Sequence, residues 1–405
     1  MNVLKKIYCR AVQANLKIAS VFLRYKHPEI LNWVGDIPRL LIKNGKKHPL
    51  IVTGKNLHGL GVVTPLKEAL KQAGISCSVY DKTVANPTTD SVFEALKMYK
   101  EEGCDCLIGF GGGSPMDCAK CVGALIARPE KSPEKLGGVL KVRRKIPLLI
   151  AVPTTAGSGS ETTPAAVIVD SATRRKYAIT DFNLIPDYAV LDESVLATLP
   201  GHVVAATGMD ALTHAVEAFI GRGGNRASRG DAQEAVKLIL ENLESAYNGN
   251  AEARRNMLHA SHLAGRAFSR AYVGYVHALA HPLGGKYDIA HGLANAVILP
   301  LVLREYGKLV HKKLHALAVY SNLAAKSDAH AQGADKFIGM VEELNAKFGI
   351  GKGFAEIREE DVAGMARYAD REANPLYPVP VLWDRKKLEE IYRKLKSLSA
   401  DKEYN

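Results

Sequence analysis

Apolar and polar residues alternate in blocks along the first half of the chain, from about residue 49 to residue 200. Short runs rich in Val, Ile and Leu are followed by longer stretches in which apolar residues recur every three or four positions. The runs predict buried strands and the periodic stretches predict amphipathic helices, an alternation typical of a parallel, doubly wound sheet. The predicted strands are PLIVTG (49–54), ISCSVYD (75–81), CDCLIGF (104–110) and IPLLIAVPTT (146–155).

The second half of the chain has a different pattern, because strand-like runs nearly disappear after Leu199-Pro200. Long segments rich in Ala, Leu and Glu, with few β-branched runs, predict helices as far as the C-terminus. With 405 residues, of which 47% are hydrophobic and 24% charged, the chain can bury two cores. We therefore predict an α/β domain over 29–200 and an all-α domain over 201–405.

Residues 1–28 form a basic segment in which apolar residues recur at roughly helical spacing and no acidic residue precedes Glu29. Three interpretations are open. The segment is a helix that lies weakly on a membrane surface, or it is a transit-like segment. The third interpretation, which we favour, is a helix packed on its own protein or on a neighbouring subunit. No run of about 18 apolar residues predicts a transmembrane helix. The basic residues are Lys5, Lys6, Arg10, Lys17, Arg24 and Lys26.

The net charge of +12 is spread along the chain, and neither a zinc-finger pattern nor a basic–aromatic stripe supports nucleic-acid binding. Four of the six cysteines spell C-x-C and C-x-x-C, which invites a zinc site. The first pair begins a predicted strand, whose length puts it roughly 20 Å from the turn that precedes the second pair. We therefore expect reduced thiols in a cytoplasmic protein. The four cysteines are Cys104, Cys106, Cys118 and Cys121.

Histidines and one aspartate in the second half have the spacing of a metal site. Asp210 and His214 are four residues apart, as are His277 and His281, and His291 follows closely. A step of four places two side chains on one face of a helix. Each histidine alone is more often an ordinary residue, but in these apolar, Ala-rich segments an unpaired polar group is costly. Three imidazoles and one carboxylate suit Fe²⁺ or Zn²⁺ with one coordination position left open.

Two polar loops follow predicted strands in the first half. In GFGGGSPMDCAK (109–120), glycines 111–113 come after a strand, and Ser114 and Pro115 open a helix. Free N–H groups at a helix start favour a phosphate, so the turn is a candidate pyrophosphate site; the alternative is a tight strand-to-helix turn. It matches neither the G-x-G-x-x-G pattern nor a P-loop. PTTAGSGSETT (153–163) lies at another strand end, where open parallel sheets bind ligands.

Four motifs occur in one order along the chain: GGGSPMDCAK, PTTAGSGSE, GMDALTHAVEAF and GYVHALAHPLGGKYDIAHGLANAVILP. Together they resemble the iron-dependent (group III) alcohol dehydrogenases, which include lactaldehyde and propanediol reductases and butanol dehydrogenases. The resemblance extends over about residues 30–400. It implies a dinucleotide-binding α/β domain over 29–200, a helical metal-binding domain over 201–405 and an active site in the cleft between them.

Matched motif by motif, the resemblance also implies roles for individual residues. The metal ligands are Asp210, His214, His277 and His291, and His281 passes the hydroxyl proton. The cofactor contacts are Asn86, Gly112, Gly113, Ser114, Thr154, Thr155, Ser158 and Lys176. The substrate pocket contains Ala165, Phe268 and Val273. The implied reaction moves a hydride between NAD(P) and a short primary alcohol or aldehyde, on an oxygen polarised by Fe²⁺ or, alternatively, Zn²⁺.

Two positions depart from the family pattern. Gly54 stands where many members have an aspartate that binds the adenosine ribose, so we expect NADP(H) to be favoured over NAD(H), with Lys55 close to the extra phosphate. Arg270 replaces the commoner Asn and lies seven residues before His277, hence two turns away on the same helical face. It is either a salt-bridge partner or a clamp for a substrate carboxylate.

Rival functions remain open at this point. A zinc glycerol-type dehydrogenase, a hydroxy-acid or semialdehyde reductase and a dehydroquinate synthase would keep the architecture and change the reaction. A metal-dependent hydrolase would use the same ion without nicotinamide, but it has no need of the glycine turn. We expect an alcohol dehydrogenase that acts on small molecules, in the cytoplasm and as a homo-oligomer.

Overall fold

The computed structural model describes residues 1–22 and 25–400. Arg24 of the predicted basic segment and residues 401–405 lie outside the described residues. The chain divides into two compact units. The sheet unit comprises residues 25–200 and 249–265, and the helical unit comprises residues 1–24, 201–248 and 266–405.

The sheet unit contains a six-stranded sheet in which all neighbouring strands are parallel, in the order β1-β9-β6-β4-β2-β3. A smaller sheet has the order β5-β8-β7. The strands are β1 (Glu29–Leu31), β2 (Pro49–Val52), β3 (Ser78–Tyr80), β4 (Cys106–Gly111), β5 (Gly138–Val139), β6 (Leu149–Pro153), β7 (Ala165–Val169), β8 (Lys176–Thr180) and β9 (Tyr188–Val190).

The helices cover most of the remaining described residues. They are α1 (Val3–Phe22), α2 (Ile37–Lys43), α3 (Lys55–Gly59), α4 (Thr64–Gln72), α5 (Thr89–Glu101), α6 (Gly113–Ala127), α7 (Pro133–Leu136), α8 (Gly201–Ile220), α9 (Arg226–Tyr247), α10 (Ala251–Ala271), α11 (Tyr275–Tyr287), α12 (His291–Tyr306), α13 (Lys308–Tyr320), α14 (His330–Lys347), α15 (Glu359–Ala373) and α16 (Arg385–Ala400). The predicted fold class, an α/β unit followed by an all-helical one, is confirmed at the level of these elements.

The central strands have the continuous apolar sequences that the prediction used. Every residue of β2, β4 and β6 is buried, because helices cover both faces of a parallel sheet. Helix α6 packs against this sheet, and the thiols of Cys106, Cys118 and Cys121 are free and fully buried in its core. Burial raises the pKa of these thiols, which keeps them protonated and unreactive.

Helix α8 is long and apolar enough to cross a membrane by length and composition, although the sequence analysis predicted no such segment. In the fold, 83% of the apolar stretch of this helix is buried inside the protein. The same helix contains Asp210, His214 and Glu217, all of them buried. Its apolar character therefore serves a core helix, whose polar side chains meet inside the helical unit.

Helix α1 packs on its own unit, in agreement with the third interpretation of the N-terminal segment. Cys9 and Gln13 on its inner side are 1% and 7% exposed. Leu4 and Ile7 on its outer side are largely exposed.

Candidate metal centre and nucleotide-binding edge

Three helices of the helical unit bring metal-ligand side chains together. Asp210 is on α8, His277 on α11, and His291 is the first residue of α12. One donor atom from each lies within 4.8 Å of the other two. The Nε2 atoms of His277 and His291 are 3.8 and 3.7 Å from Oδ1 of Asp210. This spacing allows one cation to contact all three side chains after small movements.

Close packing of α12 on α8 makes this cluster possible. A Cβ atom on Gly292 would lie 2.3 Å from the carbonyl oxygen of Ala206, so only glycine fits there. One turn later, Asn295 is fully buried, and its amide donates to Oδ1 of Asp210 at 2.7 Å and lies 3.2 Å from Nε2 of His291. Asn295 thus contacts two of the three clustered side chains, which the sequence analysis did not predict.

His214 lies beside this cluster without being one of its three members among the described residues. It is one turn after Asp210 on α8, and its ring stacks on His277 with a centroid distance of 4.4 Å. The ring of His214 also stacks on the ring of Phe268, with a centroid distance of 4.2 Å. Coordination by His214 therefore stays a prediction.

The surroundings of His277 suit a cation. Its Nε2 is buried and has no hydrogen-bond partner among residues 1–22 and 25–400, which is costly for an imidazole unless a ligand satisfies it. Burial, reinforced by the nearby rings of His214, His291 and His281, lowers the pKa of His277 well below its usual value. The ring is then neutral near pH 7 and offers a lone pair, as a first-row divalent cation requires. The donor set therefore fits such an ion.

Glu217 is a second residue that the sequence analysis missed. Its buried carboxylate accepts hydrogen bonds from Nδ1 of His277 at 2.6 Å and from the backbone N–H groups of Gly274 and Val276 at 2.8 Å each. A Cβ atom on Gly274 would lie 2.6 Å from this carboxylate, so glycine makes room for it. Burial raises the pKa of Glu217 to about 8 against these donors, so ionisation near pH 7 needs positive charge nearby. Its position one turn after His214 was the feature of the sequence that could have indicated Glu217 as part of the site.

His281 is held by a different carboxylate. Its Nδ1 is 2.6 Å from Oε1 of Glu372, and the hydroxyl of Tyr377 donates to the same oxygen at 2.7 Å. The ring of His281 stacks on His291 with a centroid distance of 5.2 Å. His281 is therefore beside the cluster but outside its three-member group, and its role in proton transfer stays a prediction.

The expectation that Arg270 and His277 share a helical face is wrong. Helix α10 ends at Ala271 and α11 begins at Tyr275, so the two residues belong to different helices. Between them Tyr272 has a φ of +63° and Gly274 is extended, which ends the helical periodicity.

In the sheet unit, the two predicted loops meet at the carboxyl edge of neighbouring strands. β4 and β6 pair in parallel with Gly111 opposite Pro153. A Cβ atom on Gly112 would lie 3.2 Å from Oγ1 of Thr155, and one on Gly113 would lie 3.3 Å from the side chain of Ser158. The N–H of Thr154 donates to the carbonyl of Gly111 at 3.0 Å.

The other predicted cofactor residues of the sheet unit are near the same turn. Ser114 accepts from the N–H of Asn86 at 3.2 Å, and Lys176 donates to the side chain of Asn86 at 2.7 Å. Gly54 follows β2, the strand beside β4, and precedes α3. A Cβ atom at Gly54 would lie 3.3 Å from the carbonyl of Thr83, so a side chain there requires a small adjustment.

Lys120 is a buried charge that the sequence analysis did not single out. Its ammonium group lies within 3.1 Å of five oxygen atoms of Ser160, Thr163 and Ala165. Burial lowers its pKa to about 8, which is the expected cost of removing an ammonium group from water. Lys120 thereby ties α6 to the second polar loop and to the start of β7.

The predicted substrate-pocket residues occupy both units. Ala165 begins β7 in the sheet unit. Phe268 and Val273 belong to the helical unit, where Phe268 stacks on His214 and Val273 is half-buried just before α11.

A three-ligand cation cluster and a glycine turn at the carboxyl edge of a parallel sheet together define a metal- and nucleotide-dependent enzyme. Comparison with known proteins gives the family. Residues 32–193 match the sequence profile of "Iron-containing alcohol dehydrogenase", and residues 204–396 match "Fe-containing alcohol dehydrogenase family, C-terminal". The chain therefore belongs to the iron-containing alcohol dehydrogenase family, which confirms the resemblance found in the four motifs, and it is an NAD(P)-dependent oxidoreductase.

Individual relatives agree with this assignment. The chain is 36% identical over 373 residues to the 1,3-propanediol dehydrogenase of Citrobacter freundii. This alignment covers 90% of this chain and 95% of the relative. The chain is 35% identical to the NADPH-dependent butanol dehydrogenase of Clostridium saccharobutylicum, over 78% of this chain and 81% of the relative. A crystal structure of a 1,3-propanediol oxidoreductase has a TM-score of 0.88 at 32% identity and covers 92% of this chain and 100% of its own.

Proposed function

We propose that this protein interconverts short primary alcohols and aldehydes, with Fe²⁺ as its metal and NADP(H) as its preferred cofactor. The observation that carries the proposal is the cluster of Asp210, His277 and His291, in which the buried Nε2 of His277 has no hydrogen-bond partner in the part of the chain that the structure describes. We add His214 as a fourth ligand because its ring stacks directly on His277. The choice of Fe²⁺ over Zn²⁺ follows the family, since the donors suit both ions.

The side chains around the cluster have separate tasks in this proposal. When bound, the cation supplies Lewis acidity toward the substrate oxygen and the nicotinamide supplies or accepts the hydride. Glu217 fixes the ring of His277 so that Nε2 faces the cation. Glu372 holds Nδ1 of His281, which leaves the other ring nitrogen of His281 to exchange the hydroxyl proton of the substrate.

The sheet unit supplies the cofactor contacts in this proposal. The N–H groups at the start of α6 suit a pyrophosphate, and the proposed contacts are Asn86, Gly112, Gly113, Ser114, Thr154, Thr155, Ser158 and Lys176. The preference for NADP(H) rests on Gly54, because an absent carboxylate leaves room for a 2′-phosphate and Lys55 follows directly.

The substrate proposal rests on small and apolar residues. Ala165 and Val273 are small, and Phe268 adds an apolar wall, which together favour a short primary alcohol or aldehyde. The six free cysteines agree with a reducing compartment, so we also propose a cytoplasmic location. We propose a homo-oligomer, which size-exclusion chromatography with light scattering will measure.

The test is an activity screen of protein loaded anaerobically with Fe²⁺. Short aldehydes, starting with butanal, are mixed with NADPH or NADH, and the loss of nicotinamide absorbance is followed. A chelator-treated sample and a sample reloaded with Zn²⁺ are the controls. Turnover of butanal with NADPH that requires metal supports the proposal. Metal-loaded protein that oxidises neither cofactor with any aldehyde, or that hydrolyses esters instead, contradicts it.

Succinic semialdehyde is included in the screen because of Arg270. If Arg270 binds a substrate carboxylate, Arg270→Ala lowers turnover of the acid and leaves butanal unaffected. We expect equal, small effects on both substrates, the result for a plain aldehyde reductase.

A further inference from the structure

Residues 375–380, which we call the proline segment, have the sequence PLYPVP. Three of the six residues are prolines without a backbone N–H, so the segment cannot form a regular hydrogen-bond ladder of its own. Its carbonyl oxygens must then find donors elsewhere, because buried carbonyl groups in proteins are nearly always paired. The partners of this segment are therefore informative.

Helix α1 provides most of these donors. The amide of Gln13 donates to the carbonyls of Pro375 at 3.1 Å and Tyr377 at 2.7 Å. The guanidinium of Arg10 donates to the carbonyls of Val379 at 2.8 Å and Pro380 at 3.0 Å. Arg10 also donates to the side-chain oxygen of Gln13 at 2.8 Å, which orients the Gln13 amide toward the segment.

The side chain of Tyr377 connects the proline segment to His281 through Glu372. The hydroxyl of Tyr377 donates to Oε1 of Glu372 at 2.7 Å, and the same oxygen is 2.6 Å from Nδ1 of His281. Tyr377 therefore links the two sets of contacts: its carbonyl accepts from Gln13, and its hydroxyl donates to Glu372, which holds His281. These residues are buried or half-buried in one compact unit.

We propose that Arg10 and Gln13 are positioning residues for His281, acting through Tyr377 and Glu372. The part of this inference that concerns turnover rests on the proposed function of His281. Helix α1 lies outside the regions that match the family profiles, 32–193 and 204–396. The helix holds the proline segment at a fixed distance from Glu372, and this fixes the direction of the His281 ring.

Substitutions that keep side-chain size and remove the donors test the proposal. We choose Gln13→Met and Arg10→Met in the full-length, metal-loaded protein, and Leu4→Ala as the control, because Leu4 is on the same helix and 78% exposed. We expect kcat to fall about tenfold in the first two variants, with metal content and the KM for cofactor unchanged. Leu4→Ala should behave like the wild type.

A double-mutant cycle separates positioning from general stabilisation. Tyr377→Phe removes only the hydroxyl that reaches Glu372. If Gln13 acts through Tyr377, the double variant Gln13→Met/Tyr377→Phe loses less kcat than the product of the two single effects. Independent, multiplicative effects overturn the proposal.

Amide hydrogen exchange gives a readout that does not depend on activity. The N–H groups of Tyr377 and Val379 donate to the carbonyls of Ala373 and Tyr377. We expect both to exchange faster in Gln13→Met while the core strands keep their protection. Unchanged exchange overturns the bracing role, and equally increased exchange throughout the protein reduces Gln13 to a stabilising residue. A wild type without dehydrogenase activity would refute the proposed function and leave the exchange result to decide on the bracing.

Discussion

Glu217→Gln is the substitution whose effect on metal binding the structure predicts most directly. The two carboxylate oxygens of Glu217 accept three hydrogen bonds: one oxygen binds His277 and Gly274, and the other binds Val276. Glutamine has nearly the same shape but a single acceptor oxygen, so its NH₂ group must face at least one N–H donor. Either the N–H of Val276 loses its acceptor or Nδ1 of His277 does.

The size of the effect follows from these contacts. A hydrogen bond to a charged group contributes about 1.5–3 kcal/mol. With glutamine the bond from Nδ1 of His277 is either lost or made to a neutral amide oxygen, and both changes loosen the His277 ring at the ligand position. Since 1.4 kcal/mol is about tenfold in an equilibrium constant, we expect cation affinity to fall about 10- to 100-fold.

The assay is a competition titration of metal-free protein with Zn²⁺ or Co²⁺ against a chromophoric chelator. Glu372→Gln is the matched control, because it makes the same chemical change next to His281, which is outside the three-ligand cluster. The control should bind metal like the wild type and turn over more slowly. Wild-type affinity in Glu217→Gln, or equal weakening in both variants, would refute the assignment of Glu217 as the residue that orients His277.

Three further predictions follow from the two sites. His277→Ala should lose metal and activity together, whereas His281→Ala should keep its metal and turn over slowly; elemental analysis with steady-state kinetics distinguishes the two roles. Gly54→Asp should shift the ratio of kcat/KM values toward NADH, and a wild type that already prefers NADH would show that another residue contacts the ribose. Lys120→Met should lower the free energy of unfolding by about 3 kcal/mol, because five oxygen atoms lose a charged donor. Denaturant titration measures this change, and an unchanged midpoint of unfolding would contradict the prediction.

The parts of the fold that the sequence predicted are those with a local pattern. Continuous apolar runs identified β2, β4 and β6. Steps of four residues drew attention to Asp210 and His277, two of the three clustered side chains, and His291 was included because it follows closely. The strands β1 and β9 have only three residues each, too few for a periodic signal, and they form because they pair with each other across 156 intervening positions. Nothing local distinguishes such short segments from loops.

The residues that sequence reasoning missed have partners far along the chain. Lys120 has the spacing of an ordinary helical lysine, yet it is fully buried because the loop around Ser160 folds over it. The error at Arg270 has a similar origin, since counting helical turns assumes an unbroken helix, and the turn at Tyr272 breaks it. Glu217 was within reach, because it extends the face of α8 on which Asp210 and His214 lie.

The three clustered ligands come from three separate helices, and α8 lies far along the chain from the neighbouring helices α11 and α12. A cation that binds only the folded arrangement stabilises it by mass action, by about 2.7 kcal/mol when the free ion is at 100 times its dissociation constant. The availability of the ion therefore sets how long the protein survives proteolysis as well as how fast it works. A cell short of this metal is expected to contain fewer molecules of the enzyme, in addition to less active ones.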